Sequence, residues 1–469
     1  MEDLSTFSAK PRLRLMLDHF SKIKDTRQAW KVAYPLCEVL FLVVCGTIAN
    51  CDDYEDVVDW GNAHLSFLRG FAEFHYGIPC ADWLRTVMNR IDPDLFMSCF
   101  SSWVAECWPN KLDLVAIDGK TSRRSHNRKT GQKALHLVSA FATNNRLVLG
   151  QEAVDEKSNE ITAIPALVER LDLEGALVSI DAMGCNANIA QSILDAKADY
   201  LLAVKDNQPT LHADIESYFE TAPSNEIEQV ETVGKDHGRF EVRTYTVSKV
   251  VDWYAPQHSY PGAPRFTQLT TIAMVESRIE RGDKIETERR SYISSRALSA
   301  AAFAEAARSH WGIENNLHWT LDVTFNEDQS RLRTGHGAKN MAVVRHFALN
   351  LVRQCADKRS IKRRQTTSPI SVLRVTFLAG LPAGWSRLLV LGSRILDDWQ
   401  DAHTAKTWLR KDVDVWSNFE YMHNRLLAIQ RKTANRSEPE IMSEVEKNIF
   451  LNEERELSQN LPRTSSRKS

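Results

Sequence analysis

Residues 112–119, LDLVAIDG, form a short apolar run that ends in Asp-Gly, a pattern typical of a buried central β-strand. Two similar runs follow, ALVSIDAMG at 176–184 and DYLLAVKDN at 199–207. Two strand patterns joined by Asn144-Asn145, a favourable hairpin turn, and the helical pattern TAIPALVERLDL precede the second run. The helical pattern NIAQSILDAKA precedes the third. This order predicts an α/β fold, in which helices pack against a mixed sheet.

The segments on either side of this sheet have a different character. Apolar residues recur at three- and four-residue spacing before it, so we assign residues 1–108 to an N-terminal helical domain. Residues 109–357 form the predicted sheet domain. Within it, residues 221–295 contain the strand-like stretches FEVRTYTVSKV, TQLTTIAMVESRIE and KIETERRSYIS, with a predicted hairpin turn at Gly282-Asp283. We interpret them as a β-rich insertion ahead of a predicted helix, AAAFAEAARSHWGIENNLHW.

Length and composition set the broad class. A chain of 469 residues is long enough for two or three domains, and its apolar content of 43% is ordinary for a globular protein. The eight cysteines include no CxxC pair, which favours reduced thiols in a cytoplasmic protein. The strongest apolar run, LFLVVCG at 40–46, is shorter than the roughly 20 residues that a membrane span needs. We therefore expect no membrane partner and a cytoplasmic location.

The local charge distribution is more informative than the formal net charge of −2. Residues 119–151 contain seven Lys or Arg and no acid, and residues 331–364 contain ten basic residues against the single acid Asp357. A solvated face is the usual explanation of such a run, and binding of phosphate is the alternative. Residues 358–469 are predicted to be a basic segment followed by a partly disordered tail.

Three acidic residues are candidates for chemistry. Asp118 and Asp181 each end an apolar strand pattern, and the ends of neighbouring parallel strands meet at one edge of a sheet. Glu314 lies on a predicted helix beside Leu317 and His318. An Asp there could instead be a turn residue or a helix cap, and Glu314 could be solvated. If the three carboxylates converge, they repel one another unless divalent cations such as Mg²⁺ or Mn²⁺ lie among them. Two such ions about 4 Å apart support phosphoryl transfer.

Four stretches resemble the H-repeat-associated group of insertion-sequence transposases: AIDGK, SIDAMG, DYLLAVKDNQP at 199–209 and HWGIENNLHWTLDVTFNED at 310–328. YPLCEVL, GIPCADWLRTV and DPDLF resemble the accessory helical domain of that family, so the resemblance covers roughly residues 10–357. It implies a DDE enzyme with an RNase H-like core and a β-rich insertion before the Glu helix.

The resemblance also implies a function. It makes Asp118, Asp181 and Glu314 the catalytic, metal-binding triad for two Mg²⁺ or Mn²⁺ ions. The implied reaction is cleavage at the inverted-repeat ends of an element and joining to target DNA. The N-terminal domain would bind DNA ends, the protein would associate with the nucleoid, and synapsis would require a homo-oligomer. Rival interpretations are a nuclease that cuts without joining and a non-catalytic DNA-binding relic.

The chain departs from the family pattern at two places. Asn186 stands where the family usually has Gln, and the sequence after about Arg364 is unlike the family's ending. A frameshift or a read-through would explain the second departure, and an altered tail that disables assembly is the basis of the relic interpretation.

Other residues near the acids are weaker candidates. Lys120, Arg123 and Arg124 follow Asp118 directly and are predicted to meet DNA phosphates, with a solvated loop as the alternative. Lys205 and Asn207 could contact DNA or form a turn. His318 and Asp322 are predicted to support Glu314, with a core histidine and a helix cap as the alternatives. Trp311 and Trp319 are predicted to be packing residues, not base-stacking platforms. A zinc site at His310 and His318 is rejected, because HExxH requires a different order.

Overall fold

Nine strands in the described part of the chain form one mixed sheet, in the order β3-β2-β1-β4-β5-β9-β8-β7-β6. The computed structural model describes residues 12–109, 114–126, 131, 133–154, 159–236, 239–253, 266–281, 284–353 and 359–367. The strands are β1 Leu114–Ser122, β2 Leu135–Ala142, β3 Leu147–Ala153, β4 Leu177–Ile180, β5 Asp199–Val204, β6 Glu228–Asp236, β7 Arg239–Ser248, β8 Thr271–Arg281 and β9 Lys284–Ser294.

Helices cover the sheet and fill the N-terminal segment. The helices that precede β1 are α1 Arg12–Ser21, α2 Leu36–Ile48, α3 Tyr54–Ala63, α4 Leu65–Arg69, α5 Ala81–Met88 and α6 Pro93–Cys107. Those between β3 and β6 are α7 Glu160–Glu169, α8 Ala187–Asp195 and α9 Pro209–Thr221. Those after β9 are α10 Ala300–His310, α11 Trp319–Val323, α12 Gly337–Arg353 and α13 Ile361–Thr367. The predicted α/β class with flanking helices is confirmed.

The centre of the sheet consists of the three apolar runs found in the sequence. β1, β4 and β5 are parallel neighbours, and all four residues of β4 are buried. Helices α7 and α8 are the crossovers that parallel pairing requires. β2 and β3 form an antiparallel pair around a turn at 143–146, as the Asn144-Asn145 pair predicts. A parallel core with covered faces explains why these strands are apolar along their length, not alternating.

The predicted β-rich insertion is present, but it is not a separate body. Its last strand, β9, pairs antiparallel with β5, so β6 to β9 continue the central sheet. The sequence pattern identified three of these four strands and omitted β6, whose EQVETVGKD has few apolar residues. It also omitted α9. The predicted turn at Gly282-Asp283 lies outside the described residues.

Helix α10 packs across both the central strands and the insertion. Its alanines and Phe303 share one buried cluster with Leu114, Leu177 and Leu201 from the centre and with Tyr245 from β7. Small alanine side chains allow the helix backbone to lie close to the sheet. The predicted long helix then changes geometry, because residues Ile313–His318 form a π-helical turn before α11 begins.

The N-terminal helices share their core with a helix from the far side of the sequence. The ring of Phe347 in α12 packs on Phe20, Phe96, Phe100 and Trp103, at centroid distances of 4.8 to 5.8 Å. All described residues accordingly belong to one compact unit, Arg12–Thr376. The change of pattern near residue 108 coincides with the change from helices to the first strand, and helices from both sides of it pack together.

Two further predictions concern membrane association and the C-terminal tail. None of the described helices combines the length and the apolar character needed to span a bilayer. Of residues 358–469, the structure describes only 359–367, so the predicted tail lies outside the described residues.

Candidate active site

Asp118 lies where β1 loses its parallel neighbour. The pairing of β1 with β4 ends at Ile117 and Ile180, whereas the pairing of β1 with β2 continues to Ser122. The prediction that the strand ends at Asp118 is therefore wrong, because the antiparallel partner extends the strand by four residues. Side chains two residues apart share a face of a strand, so Asp118 points to the same side as Leu114, on which α10 packs.

Asp181 follows β4 directly and starts a tight turn. Its Oδ1 accepts hydrogen bonds from the backbone N–H groups of Met183 at 3.0 Å and Gly184 at 3.3 Å. Asp181 is thus a turn cap, the alternative that the sequence left open, and it also lines a cavity together with Asp118. By the same two-residue alternation, it shares a face with Leu177 and Ser179.

Glu314 reaches the same cleft from the π-helical turn. Asp118, Asp181 and Glu314 all line one cavity of about 160 Å³, whose wall also includes Lys205 and Trp311. The Glu314 side chain is exposed, whereas both aspartates are partly buried. A π-helical turn is rare and is often found at functional sites. The structure therefore brings together the three acids that the sequence singled out.

Neighbouring carboxylates raise the pKa values of the two aspartates in the cleft. Burial, together with the negative charges of Asp181, Glu160 and Glu314, raises the pKa of Asp118 to about 7, against the hydrogen bond from the N–H of Gly119. Burial and the charge of Glu160 also raise the pKa of Asp181. Each carboxylate in the cleft therefore makes ionisation of its neighbours less favourable.

The donor set fits a hard divalent cation. Among the residues that the structure describes, no three His, Cys, Asp or Glu side chains are grouped tightly enough to hold a metal ion as they stand. The cleft nevertheless offers carboxylate oxygens from three different elements, with repulsion among them that a cation would relieve. Mg²⁺ and Mn²⁺ prefer such ligands, and Mg²⁺ takes few of them from the protein while it keeps water.

Lys120, predicted to contact DNA, lies in a buried ion-pair cluster instead. Its Nζ is 2.7 Å from Asp322 Oδ1 and also contacts Glu327 Oε2. Burial alone lowers the pKa of Lys120, but the charge of Glu327 and the contact with Asp322 outweigh it and leave the pKa raised. Glu327 is 3% exposed, so its charge depends on Lys120 and on Arg345, 3.7 Å away. Asp322 thus supports Lys120, not Glu314.

The other predicted cations remain on the surface. Arg123 and Arg124 form a short turn after β1, and the Arg123 side chain is 82% exposed, with a long contact of 3.5 Å to Asp328. Lys205 is exposed and lines the cleft itself, because it follows Leu201 and Ala203 on the same face of β5. These three side chains are accessible to a polyanion.

Asn207 has the turn role that the sequence left open. Its Nδ2 donates to the carbonyl oxygens of Ala182 at 2.6 Å and Cys185 at 3.3 Å, and Gln208 Nε2 donates to Cys185 at 3.1 Å. The loop after β5 therefore holds the loop that carries Asp181. Asn186, where the family usually has Gln, caps α8 through a 2.8 Å bond from the N–H of Asn188. Asn is well suited to that position.

His318 faces Asp118, not Glu314 as predicted. Its Nδ1 lies 3.5 Å from Asp118 Oδ2, a long contact. Burial, followed by the charge of Lys120, lowers the pKa of His318 to about 4, so the ring is neutral at neutral pH. His310 lines the same cavity as Glu314, and its Nδ1 is paired with Ser179 Oγ at 3.0 Å. The two histidines form no zinc site with Glu314.

The prediction that Trp311 and Trp319 are packing residues is wrong. Their exposed fractions are 39% and 61%, and the two residues lie on either side of the π-helical turn Ile313–His318. The Arg290 guanidinium lies over the Trp311 ring at 4.7 Å, and both residues also line a second cavity of about 440 Å³ beside the cleft. Arg243 and Arg308 line that cavity as well.

The sequence interpretation missed one acid beside the site, Glu160. It starts α7, and its charge acts on both Asp118 and Asp181. The only signal for it in the sequence is an acid at the start of a helix, which is a common position for helix stabilisation.

Comparisons with known proteins identify the family of the chain. Residues 109–351 match the family model described as "Transposase DDE domain", and residues 17–104 match the one described as "DDE_Tnp_1-associated". The protein named "H repeat-associated putative transposase YhhI" from Escherichia coli (strain K12) is 39% identical over 72% of this chain and 90% of its own length. The protein named "Putative transposase YncI" from Escherichia coli O157:H7 is 40% identical over 75% of this chain and 91% of its own length.

A solved structure, a piggyBac transposase synaptic complex with hairpin DNA, aligns over 87% of each chain at 10% identity and a TM-score of 0.37. The family match and the sheet order together confirm the predicted RNase H-like fold. The chain belongs to the DDE transposase family, and its relatives include proteins named as H repeat-associated transposases.

Proposed function

We propose that this chain is a DNA transposase that cleaves DNA at the ends of an insertion element and joins the freed 3′-hydroxyl groups to target DNA. The observation that supports this most directly is the convergence of Asp118, Asp181 and Glu314 on one cleft. They lie on three different elements of the fold: strand β1, the turn after β4 and the π-helical turn after α10. The family match over residues 109–351 supports the same assignment.

The three carboxylates would hold two Mg²⁺ or Mn²⁺ ions. When bound, such ions would activate the attacking oxygen and stabilise the leaving oxygen of an in-line phosphoryl displacement. The chain's own part is to hold the acids in position. The loop of Asn207 restrains Asp181, the N–H of Gly119 donates to Asp118, and His318 lies beside Asp118 at 3.5 Å.

Both reactions would take place in the same cleft, and each breaks one P–O3′ bond. In cleavage, the oxygen of water attacks the phosphorus, the P–O3′ bond breaks and the 3′-oxygen leaves as a hydroxyl after protonation. In joining, that 3′-hydroxyl loses its proton and attacks a phosphodiester of the target; a new P–O3′ bond forms, the target's own P–O3′ bond breaks, and the target 3′-oxygen leaves as a hydroxyl after protonation. The exposed cations Arg123, Arg124 and Lys205 would contact the phosphates on either side.

Two further proposals concern the binding of DNA ends and oligomerisation. The N-terminal helices, which match the associated model over residues 17–104, would bind the inverted-repeat ends. Synapsis of two ends would require at least two copies of the chain. Both proposals follow from the reaction and the family.

The test uses the full chain and duplexes that carry the inverted repeats flanking its gene. Asp118→Asn, Asp181→Asn and Glu314→Gln should each abolish cleavage and joining while DNA binding is retained. Glu305→Gln, an exposed acid on α10, is the control and should behave as wild type. Full cleavage by any of the three variants would contradict the assigned triad.

The rival functions give different results with the wild-type chain. Cleavage of the ends without joining of a pre-cleaved end would favour a nuclease. Binding of the ends without cleavage, in both Mg²⁺ and Mn²⁺, would favour a DNA-binding relic.

A further inference from the structure

Glu160 places a fourth carboxylate against the strand that carries Asp118. If Gly119 had a Cβ, that atom would collide with Oε1 of Glu160 and lie 2.6 Å from its Cδ and 2.8 Å from His136 Nε2. Gly119 directly follows Asp118, and its missing side chain would point to the opposite face of the sheet. Glu160 therefore approaches the strand from the face opposite to Glu314.

The sheet is open at this point. β4 stops pairing with β1 at Ile117 and Ile180, so beyond them β1 has a neighbour on one side only, within the described strands. The absence of a side chain on Gly119 extends the opening toward Glu160. The Glu160 carboxylate therefore lies against β1 at the residue next to Asp118.

Glu160 is held in position by a short chain of hydrogen bonds. Its Oε1 lies 2.7 Å from His136 Nε2, and His136 Nδ1 lies 2.7 Å from Thr121 Oγ1. Thr121 and His136 are paired residues of β1 and β2, so both supports belong to the rigid sheet. The Glu160 side chain is 15% exposed. Its charge is thus fixed near the two aspartates and only weakly screened by water.

The electrostatic effect is felt by both aspartates. After burial, the charges that raise the pKa of Asp118 act in the order Asp181, Glu160, Glu314. At Asp181, Glu160 is the charge with the largest effect. Glu160 therefore adds a further negative charge beside the strand that carries Asp118. Such an arrangement is unfavourable without a cation and favourable with one.

We infer that Glu160 is a fourth acidic residue of the active site, which strengthens the binding of divalent cations at Asp118 and Asp181 from the opposite face of the sheet. The inference rests on the proposed function, because the cations are those of the transposase reaction. A purely structural role, in which Glu160 only anchors α7 through His136, is the alternative. The two roles differ in what happens when the charge is removed and the shape is kept.

The experiment measures Mn²⁺ binding to the full chain by calorimetry and by electron paramagnetic resonance. Glu160→Gln should weaken binding by about tenfold, the usual lower range for residues that support metal ligands. Without metal, in EDTA, the same variant should unfold at the same temperature as wild type or higher, since a repulsive charge is gone. The control is Glu169→Gln, an exposed acid at the other end of α7, which should match wild type in both measurements.

Gly119→Ala provides a second test that leaves Glu160 itself intact. The added methyl should displace the Glu160 carboxylate and weaken Mn²⁺ binding in the wild-type background. It should cause no further loss in the Glu160→Gln background, because the charge is already absent there.

The outcomes separate this inference from the proposed function. If Asp118→Asn loses Mn²⁺ and Glu160→Gln keeps wild-type affinity, the role of Glu160 is refuted while the triad stands. Equal destabilisation of Glu160→Gln with and without Mn²⁺, at unchanged affinity, would assign Glu160 a structural role and also refute the inference. If the wild-type chain does not bind Mn²⁺, both the inference and the metal part of the proposed function fail.

Discussion

Replacement of Asp118 by Asn should stabilise the metal-free protein, and the gain should depend on pH. Burial and neighbouring carboxylates raise the pKa of Asp118 to about 7. In the unfolded chain its pKa returns to about 4. The folded state therefore binds a proton that the unfolded state has released between these values, and the stability of the wild type falls as pH rises from about 4 to about 7. The Asn side chain resembles the protonated acid and avoids this loss.

The size of the effect follows from the pKa. A difference of about three pH units, at about 1.4 kcal/mol each, gives about 4 kcal/mol as the upper limit of the gain at pH 8. The Asp118 side chain is 19% exposed, so solvent screening reduces this value only in part. The Asn oxygen can still accept the 2.8 Å hydrogen bond from the N–H of Gly119. We expect a measured gain of about 2–4 kcal/mol at pH 8 and almost none at pH 4.

Urea denaturation of the full chain in EDTA, at intervals from pH 4 to pH 8, measures this difference. Asp172→Asn, at an exposed position away from the cleft, is the control and should follow the wild type within about 0.5 kcal/mol. An Asp118→Asn variant that is less stable than wild type at pH 8, or a difference that does not change with pH, would refute the reasoning. Saturating Mn²⁺ should reverse the order, because only the wild type gains binding energy from the ion.

Three further variants test the supports of the site. Lys120→Met should cost about 3–5 kcal/mol in the free energy of unfolding, because it leaves the buried Glu327 without its nearest cation; thermal unfolding measures the loss. Asn207→Ala should cost about 1–3 kcal/mol and weaken Mn²⁺ binding in calorimetry, because the loop that carries Asp181 loses two hydrogen bonds. Phe303→Ala should cost about 3–5 kcal/mol in urea denaturation, since the ring is fully buried on the sheet.

Matched controls distinguish these effects from a general sensitivity to substitution. Arg123→Met removes a cation that is 82% exposed next to the same strand, so it should change stability by less than about 0.5 kcal/mol. Asp206→Ala removes the exposed side chain beside Asn207 and should leave Mn²⁺ binding unchanged. A Lys120→Met variant as stable as Arg123→Met would show that the buried ion pairs are not needed, and Asn207→Ala with wild-type Mn²⁺ affinity would show that the loop does not position Asp181.

Short-range patterns were sufficient to predict the centre of the fold. Parallel strands buried on both faces must be apolar along their length, so residues 112–119, 176–184 and 199–207 could be recognised without knowledge of their partners. Their carboxyl ends lie at one edge of a sheet by geometry alone, which explains why the proximity of Asp118 and Asp181 was predictable. The amphipathic helices followed from the same kind of local periodicity.

Several failed predictions concern contacts between residues far apart in the chain. Lys120 follows Asp118 in a basic stretch, and only the fold reveals that Asp322 and Glu327, some 200 positions later, neutralise it. Trp319 was predicted to be a packing residue, but it directly follows the π-helical turn and is 61% exposed. Glu160 lies near Asp118 only because a glycine and an early strand end leave space. None of these features has a periodic signal.

The continuity between the insertion and the central sheet has a mechanical consequence for Glu314. Helix α10, which leads to it, rests on β1 and β4 through Leu114 and Leu177 and on the insertion through Tyr245. Phe303 contacts the rings of Tyr245 and Tyr292 at 5.9 and 5.2 Å, so the helix is located by both parts of the sheet at once. The aspartates depend on the central strands alone. A change in the strands of the insertion should therefore displace Glu314 relative to the aspartates, which makes the insertion a structural part of the proposed active site and not an appendage to it.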